Sequence, residues 1–380
     1  MGRTSEHISQ AIFAVVCILL LTILSLSDVH ANSLKNLFKE SGMEFGGWIN
    51  GGGTYNANNP SDGFNGAVTF ADRADRFQLN QFNLFMQRAV PSDGAGWDIG
   101  GRFDFLFGTD AIYAQAFGIS AFDENTGKPS NRGNWDLNLC CKSARTYGIA
   151  LPQAYLEAYV PIGNGLNIKA GHFYTPLGYE TVPAPDNFFY TRACILNSGE
   201  PFTHTGLMGN YTVNANLSVL GAATTGSATG GWDGSFDKQL DNWGGLAGVI
   251  WTSDDKRTSA TIGGTYGQTA TREPWIMYGV VLQHRITPRT HLVVHHTHGW
   301  ASKIFLGDRI KNTEWYSINT HLTYDLLNDL SMANGSTTGM AGVSFRPTGY
   351  FPRLTTEVLV TRVTFHLSAR RQIITQLRWV

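Results

Sequence analysis

Apolar and polar residues alternate along several stretches of this chain. In residues 97–107, Ile99 and Phe103 occupy one face of the alternation, whereas Arg102 and Asp104 occupy the other. The same period of two recurs in three further stretches, 153–160, 259–267 and 315–324. This period predicts β-strands, because successive side chains of a strand point to opposite faces.

The alternating stretches are long for strands. They run for about 9–11 residues, the length that a tilted strand needs to cross a bilayer, whereas strands of soluble proteins usually have about five or six. The pattern predicts strands at 43–56, 77–89, 97–107, 149–160, 165–175, 201–213, 216–225, 243–252, 257–267, 276–286, 290–300 and 313–324. Later extended stretches, at 341–346, 355–367 and 372–380, bring the expected total to about 14–16 strands.

The connections between these strands alternate in length. Long connections are predicted at 57–76, 108–148, 176–200 and 226–242, with middling ones at 268–275 and 301–312. Short connections fall between them, at 90–96, 161–164, 214–215 and 253–256. Short periplasmic turns and long extracellular loops are typical of an outer-membrane barrel. A soluble β-sandwich also alternates along its strands but has no reason to sort its loops in this way.

The composition separates a barrel from a bundle of membrane helices. Only 15% of the 380 residues are charged, 12% are aromatic, and there are 43 glycines. No charge-poor apolar run lies beyond residue 26, whereas each membrane helix needs about 20 apolar residues. The sequence therefore predicts an all-β fold, a single transmembrane antiparallel up-and-down β-barrel over residues 32–380.

The one apolar run lies at the N-terminus. It extends from Ala11 to Leu26, follows a short polar stretch with Arg3, and precedes a Val-His-Ala tripeptide that ends at Ala31. This pattern predicts a cleaved secretory signal peptide over residues 1–31. The alternative is a permanent N-terminal membrane anchor, which the early break of the run at Ser27 disfavours.

Charge and cysteine content limit the partners. Removing residues 1–31 takes away one basic and two acidic residues, so the formal charge rises from −1 to about zero and nucleic acid is not an expected partner. Three cysteines remain, and an odd number in an oxidising compartment indicates one disulfide, of Cys194 with Cys140 or Cys141. Without a CxxC or Cys-His spacing, we expect no metal and no cofactor.

The polar faces of the predicted strands carry the candidate channel chemistry. If the apolar faces contact lipid, the polar faces line a lumen, where mixed charges sort solutes by charge and dipole. The predicted pore-lining residues are Asp98, Arg102, Asp104, Gln153, Glu157, Asn167 and Lys169. The alternative is that these side chains only pair with one another and stiffen the wall.

The long connection at 176–200 differs from the others because it is rich in proline and aromatic residues. It is too apolar for a freely solvated loop of this length, and long ordered loops often have a function. We expect it to fold into the barrel and narrow it, as a constriction loop with the charged residues Glu180, Asp186, Arg192 and Glu200. The alternative is an external cap.

Two other groups of residues suggest further roles. Aromatic residues near strand ends suit interfacial girdles: Trp48, Trp97, Phe105, Phe107, Trp243, Trp251, Trp300, Tyr316 and Tyr324. Four histidines lie close together, but His291 and His295 share one strand face and His296 and His298 the other, so no face offers three metal ligands. No catalytic residues are predicted.

Several of these segments resemble the OmpL-like β-barrel porin family of the bacterial outer membrane. The resemblance covers roughly residues 34–326 and is most specific from Gly171 to Gly206. The matching segments are GGWINGGGTYNANNPSDGFNG (46–66), DRFQLNQFNLFMQRAV (75–90), WDIGGRFDFLFGTDA (97–111), LPQAYLE (151–157), GHFYTPLGYETVPAPDNFFY (171–190) and GEPFTHTG (199–206). The resemblance implies an outer-membrane barrel with porin activity, and residues 327–380 depart from the family's pattern.

The predicted function is therefore passive diffusion of small hydrophilic solutes or ions through a polar lumen in the outer membrane. The expected partners are outer-membrane lipid and these solutes. Two alternatives belong to other classes of protein. One is a non-conducting barrel that acts as a receptor, adhesin or scaffold, for which a plugged lumen would be diagnostic. The other is a lipase-type enzyme, for which a nucleophile, a histidine and an orienting residue would have to meet on one wall.

Overall fold

A computed structural model describes the chain. It describes residues 41–56, 60–61, 63, 65, 70, 73–90, 96–114, 147–225, 243–268, 273–306, 309–327, 330–343, 356–369 and 377–379. The predicted signal peptide and its cleavage site lie outside the described residues. The predicted disulfide does too, because Cys140 and Cys141 are not described and the side chain of Cys194 is not either.

Fifteen antiparallel strands form one sheet in the part of the chain that is described. They are β1 (Met43–Thr54), β2 (Arg76–Arg88), β3 (Asp98–Gly108), β4 (Gly148–Val160), β5 (Leu166–Tyr174), β6 (Thr203–Asn214), β7 (Leu217–Thr225), β8 (Trp243–Thr252), β9 (Thr258–Gln268), β10 (Pro274–Thr287), β11 (Thr290–Leu306), β12 (Arg309–Leu327), β13 (Leu330–Val343), β14 (Thr356–Ala369) and β15 (Leu377–Trp379). Consecutive strands pair with each other from β1 through β14, and β15 returns to pair with β1.

This topology confirms the predicted up-and-down β-barrel. The first ten strands begin and end within two residues of the predicted positions. β11 and β12 are longer than predicted, at 17 and 19 residues. Their pairing continues to Leu306 and Arg309, so most of the predicted connection at 301–312 is strand. Among the described residues, no helix is long and apolar enough to cross a membrane.

The two faces of the strands differ in exposure. Large apolar side chains are exposed on one face, as at Ile99 and Leu156. Polar side chains on the other face are buried, as at Asp104 and Gln81, which are both 0% exposed. The apolar face therefore points to lipid and the polar face points into the barrel.

Short helices lie in the connections on the long-loop side. α1 (Ala111–Ala114) follows β3, and the connection from β5 to β6 contains a 3₁₀ turn (Ala184–Asp186) and α2 (Cys194–Gly199). We call this connection, residues 175–202, the inward segment. Gly171 lets β5, the strand before the segment, pack closely against β4, since a Cβ at this residue, whose φ is +136°, would clash with the carbonyl oxygen of Ala154.

The inward segment has apolar contacts in two directions. One cluster joins it to α1, β3 and β4. The buried members of this cluster are Phe70, Leu106, Ala111, Tyr113, Ala114, Ala150, Val182, Leu196 and Phe202. A second cluster packs Leu177 of the segment against Trp275, Met277 and Ala301 of β10 and β11. The segment therefore reaches walls of the barrel that are far apart in the order of the sheet.

Candidate channel constriction

Gln81 of β2 attaches the inward segment to one wall. Its amide oxygen accepts hydrogen bonds from the indole N–H of Trp48 at 2.8 Å and from the backbone N–H of Ala184 at 2.9 Å. Its amide nitrogen donates to the carbonyl oxygen of Val182 at 2.7 Å and to Asp110 at 2.8 Å. One buried side chain thus satisfies two backbone groups of the segment, where water cannot replace them.

Asp110 and Asn80 extend this attachment. The hydroxyl of Tyr190 donates to the Asn80 amide oxygen at 2.6 Å, and the Asn80 amide nitrogen donates to Asp110 at 3.3 Å. Burial raises the pKa of Asp110 to about 6, although the charge of Arg192 and the bonds from Gln81 and Asn80 oppose the rise. The carboxyl group therefore titrates in a range where most aspartates are already ionised.

Arg192 holds the segment's own fold together. Its guanidinium donates to the carbonyl oxygens of Thr181 at 3.0 Å and Phe189 at 2.9 Å. Burial lowers its pKa, while the charge of Glu180 opposes that effect. Glu180 in turn accepts a hydrogen bond from the backbone N–H of Ala193 at 2.8 Å, and burial raises its pKa.

Glu200 attaches the end of the segment to a distant wall. Its Oε1 lies 2.7 Å from Nε2 of His295 on β11 and accepts a hydrogen bond from the Thr297 hydroxyl at 2.9 Å. Next to it, the indole N–H of Trp315 on β12 donates to the carbonyl oxygen of Gly199 at 3.2 Å. We call Glu200, His295 and Thr297 the far-wall anchor.

The same wall contacts the middle of the segment through rings. His321 of β12 lies with its ring centroid 5.2 Å from that of Tyr179 and 5.3 Å from that of Phe189. The segment is therefore held by β2 on one side and by β10 to β12 on the other. This geometry places it across the interior of the barrel.

An ion pair lies on the inner face of β3. Arg102 binds Asp104 through two hydrogen bonds of 2.6 and 3.0 Å, and it also donates to Gln87 at 2.8 Å. Gln153 of β4 donates to the same Asp104 carboxylate at 3.4 Å. The two hydrogen bonds hold the guanidinium and the carboxylate together, so their charges cancel. The pair therefore stiffens the wall and presents little net charge to the interior.

Glu157 and Lys169 form a different arrangement. They face each other in the register of β4 and β5, but no salt bridge within 4.0 Å joins them in the described structure. The Lys169 ammonium instead lies 4.6 Å from the ring centroid of Tyr155. An ammonium and a carboxylate that are partly exposed and not bonded to each other can still attract passing solutes.

The predicted pore-lining residues occupy neighbouring strands. Asp98, Arg102 and Asp104 lie on β3, and Gln153 and Glu157 lie beside them on β4. Asn167 and Lys169 follow on β5, opposite Tyr159 and Glu157. Asp98 is bonded to Arg88 at 2.7 Å at the short-turn end of the strands.

The four charged residues predicted for the constriction loop differ in exposure. Glu180, Arg192 and Glu200 are buried by their contacts, whereas Asp186 is exposed. Gln81, Asp110 and the role of His295 were not predicted from the sequence. Alternation does place Gln81 and His295 on inner faces, but nothing in the sequence pairs them with residues about 100 positions away.

One aromatic residue was assigned wrongly. Trp48 was predicted to lie in an interfacial girdle, but it is buried and donates to Gln81 inside the barrel. Among the described residues, no group of three or more histidine, cysteine, aspartate or glutamate side chains is arranged to hold a metal ion.

A lipid-facing apolar surface, a polar interior and a segment held across that interior define an outer-membrane β-barrel of the porin class. Residues 42–334 match the model of the family described as "Putative beta-barrel porin-2, OmpL-like". The match covers most of the chain, and the chain belongs to this family, whose members are barrels of the bacterial outer membrane.

Several solved structures are similar to the chain. The outer membrane channel DcaP of Acinetobacter baumannii has 11% sequence identity and a TM-score of 0.48, covering 78% of this chain and 78% of that one. OprB of Pseudomonas putida has 11% identity and a TM-score of 0.42, covering 80% and 90%. A BenF-like porin from Pseudomonas fluorescens Pf-5 has 12% identity and a TM-score of 0.37, covering 79% and 67%. No curated protein matches the sequence.

Proposed function

We propose that this protein is a diffusion channel for small hydrophilic solutes or ions, with the inward segment as its constriction. Membership of the porin family supports the channel. The observation that supports the constriction is the attachment of one segment to Gln81 on one wall and to His295 on another. Solutes then pass beside the segment, along the polar face of β3 to β5.

Lys169 and Glu157 are the pore-lining residues proposed to act on solutes most directly. Arg102 and Asp104 neutralise each other, whereas Lys169 and Glu157 have no such bond between them. Asp186 adds an exposed carboxylate from the segment. Together these groups produce an electric field across the lumen. The field orients dipolar solutes and makes the channel selective between anions and cations.

Residues 1–31 serve as a signal peptide that is removed, and residues 32–380 form the mature barrel in contact with outer-membrane lipid. The protein acts as a channel and not as an enzyme, and it has no nucleic-acid partner. A disulfide joins Cys194 to Cys140 or Cys141.

The experiment that tests the channel is single-channel recording of the refolded chain, residues 32–380, in a planar bilayer. Stepwise conductance that scales with salt concentration is the expected result. A folded barrel is recognised by a change in its electrophoretic mobility after heating. If such a folded barrel never conducts, the channel function is overturned. The protein would then be a non-conducting receptor or scaffold with a plugged lumen.

Ion selectivity tests the role of Lys169. In a gradient of potassium chloride, Lys169→Gln shifts the reversal potential towards cation preference, because one positive charge leaves the lumen. Lys256→Gln is the matched control, since Lys256 lies in the exposed turn between β8 and β9. Equal reversal potentials for the two variants would remove Lys169 from the conducting path.

A further inference from the structure

Asp186 is the last residue of the 3₁₀ turn in the inward segment. Gln81 of β2 accepts a hydrogen bond from the backbone N–H of Ala184, two residues before Asp186, at 2.9 Å. On the other side of the turn, the side-chain amide of Asn187 donates to the carbonyl oxygen of Pro183 at 2.6 Å. The backbone is therefore held on both sides of Asp186, and the fold of the segment sets the place of its carboxylate.

The Asp186 carboxylate is exposed and has no bonded cation. Glu180 and Glu200 of the same segment are buried, whereas Asp186 forms no salt bridge or side-chain hydrogen bond in the described structure. Partial burial raises the pKa of Asp186, and the guanidinium groups of Arg102 and Arg192 oppose the rise. Both arginines therefore lie near this carboxylate without binding it, and the carboxylate keeps its negative charge at neutral pH.

The two arginines near Asp186 are each engaged by a different carboxylate. Arg102 binds Asp104 through hydrogen bonds of 2.6 and 3.0 Å. Burial lowers the pKa of Arg192, and among the carboxylates that oppose this effect Glu180 contributes most and Asp186 least. The guanidinium of Arg192 also donates to backbone carbonyl oxygens of the segment, so it cannot turn away without breaking these bonds. Asp186 is therefore left without a cation of its own.

The charges in and around the inward segment do not cancel. Five carboxylates interact there with two arginines and one histidine: Asp104, Asp110, Glu180, Asp186 and Glu200 with Arg102, Arg192 and His295. Counting His295 as a full positive charge leaves two negative charges, and counting either Asp110 or Glu180, whose pKa values burial raises, as neutral still leaves one. The facing pair on β4 and β5 adds one charge of each sign. The described constriction is therefore negative, and Asp186 is its exposed carboxylate.

We infer that Asp186 determines the charge preference of the channel, and that the favoured solutes are small cations, either inorganic ions or organic ammonium ions. This inference rests on the proposed function and deepens it, since it names the class of solute that passes beside the segment. A fixed negative charge in a water-filled passage with walls of low dielectric constant raises the local concentration of cations and lowers that of anions. Because the Asp186 carboxylate is exposed, it acts on a passing cation without any rearrangement of the segment.

Reversal potentials of the refolded chain, residues 32–380, measure this preference in a gradient of potassium chloride at low salt. At about 6 Å in water, one unit charge changes the local concentration of a monovalent ion about threefold, in opposite directions for cations and anions. The wild type is expected to favour potassium, and Asp186→Asn is expected to lower the ratio of cation to anion permeability about tenfold. Asp186→Glu keeps the charge and is expected to keep the preference. Asp254→Asn is the matched control, since Asp254 lies exposed in the turn between β8 and β9.

A second measurement reports the same charge without conductance. Pro185 is partly exposed next to Asp186, so Pro185→Cys places a thiol beside the carboxylate. Its reaction rates with two methanethiosulfonates, one carrying a trimethylammonium group and one a sulfonate, are measured by mass spectrometry of the peptide and normalised to a small free thiol. Detection by peptide separates this thiol from the native cysteines. The ratio of the rates is expected to favour the cationic reagent and to fall about tenfold when Asp186→Asn is added, whereas Asp254→Asn leaves it unchanged.

The outcomes separate this inference from the channel itself. If the barrel conducts with a cation preference that Asp186→Asn removes and Asp186→Glu retains, both stand. If it conducts without a cation preference, or if Asp186→Asn and Asp254→Asn shift the reversal potential equally, the inference fails and the channel stands. If the folded barrel is silent while the thiol ratio falls in Asp186→Asn, the channel fails and the effect of Asp186 on cations stands. A thiol ratio that Asp186→Asn leaves unchanged would overturn the inference in every case.

Discussion

Replacing Gln81 by leucine is the most informative test of how the inward segment is held. The substitution keeps the side-chain volume roughly constant but removes four buried hydrogen bonds. Three neutral buried groups lose their hydrogen bond to the Gln81 amide: the indole N–H of Trp48, the backbone N–H of Ala184 and the carbonyl oxygen of Val182. The Asp110 carboxyl group loses one of its donors.

A buried polar group left without a partner costs about 1–3 kcal/mol. Two of these groups, the backbone N–H of Ala184 and the carbonyl oxygen of Val182, belong to the inward segment, so we expect the segment to be held less firmly by about 2–6 kcal/mol. Since each 1.4 kcal/mol is a factor of ten, the released population rises at least about thirtyfold.

Trypsin cleavage after Arg192 reports this population, because proteolysis follows the fraction of open molecules when reclosing is fast. Gln81→Leu should therefore be cut at least about thirtyfold faster than the wild type. Gln283→Leu is the matched control, with the same substitution on the inner face of β10. Equal cleavage of the two variants would refute the role assigned to Gln81.

Two further predictions concern stability. Burial raises the pKa of Asp110 to about 6, so the folded chain retains a proton that the unfolded chain releases near pH 3.8. The resulting stability is present below about pH 4 and is lost as pH rises through 6. The urea concentration at the midpoint of unfolding should therefore fall over this window, and the fall should be smaller in Asp110→Asn. Arg102→Gln leaves Asp104 buried without its cation and should cost about 3–5 kcal/mol in the same urea assay, whereas combining it with Asp104→Asn should recover most of the loss. A double variant no more stable than Arg102→Gln alone would contradict the ion-pair explanation.

The strands were predictable because their signal is local. A strand that separates lipid from the interior must alternate, and a one-residue error would turn every side chain to the wrong face. The boundaries of β8, at Trp243 and Thr252, agree with the predicted range for this reason. β11 and β12 were predicted too short because their far ends continue to pair beyond the stretch with clear alternation.

The face of a residue was harder to predict where glycines flank it. Trp48 lies between Gly46–Gly47 and Gly51–Gly53, which have no side chains to mark a face. Its aromatic ring suited a lipid interface, but the pairing of β1 with β2 brings it to Gln81. The hydrogen bond to a buried amide determines its position.

The sequence by itself determined the barrel, the sorting of long and short connections, and the polar character of the faces of β3 to β5, because alternation, length and turn residues act over a few neighbouring positions. It also marked residues 176–200 as too apolar for a solvated loop. Only the tertiary structure decided which residues hold that segment. Gln81 meets Val182, and His295 meets Glu200, across about 100 residues of chain. Such contacts depend on closing the sheet, which brings distant strands around one interior, and no local pattern encodes that distance.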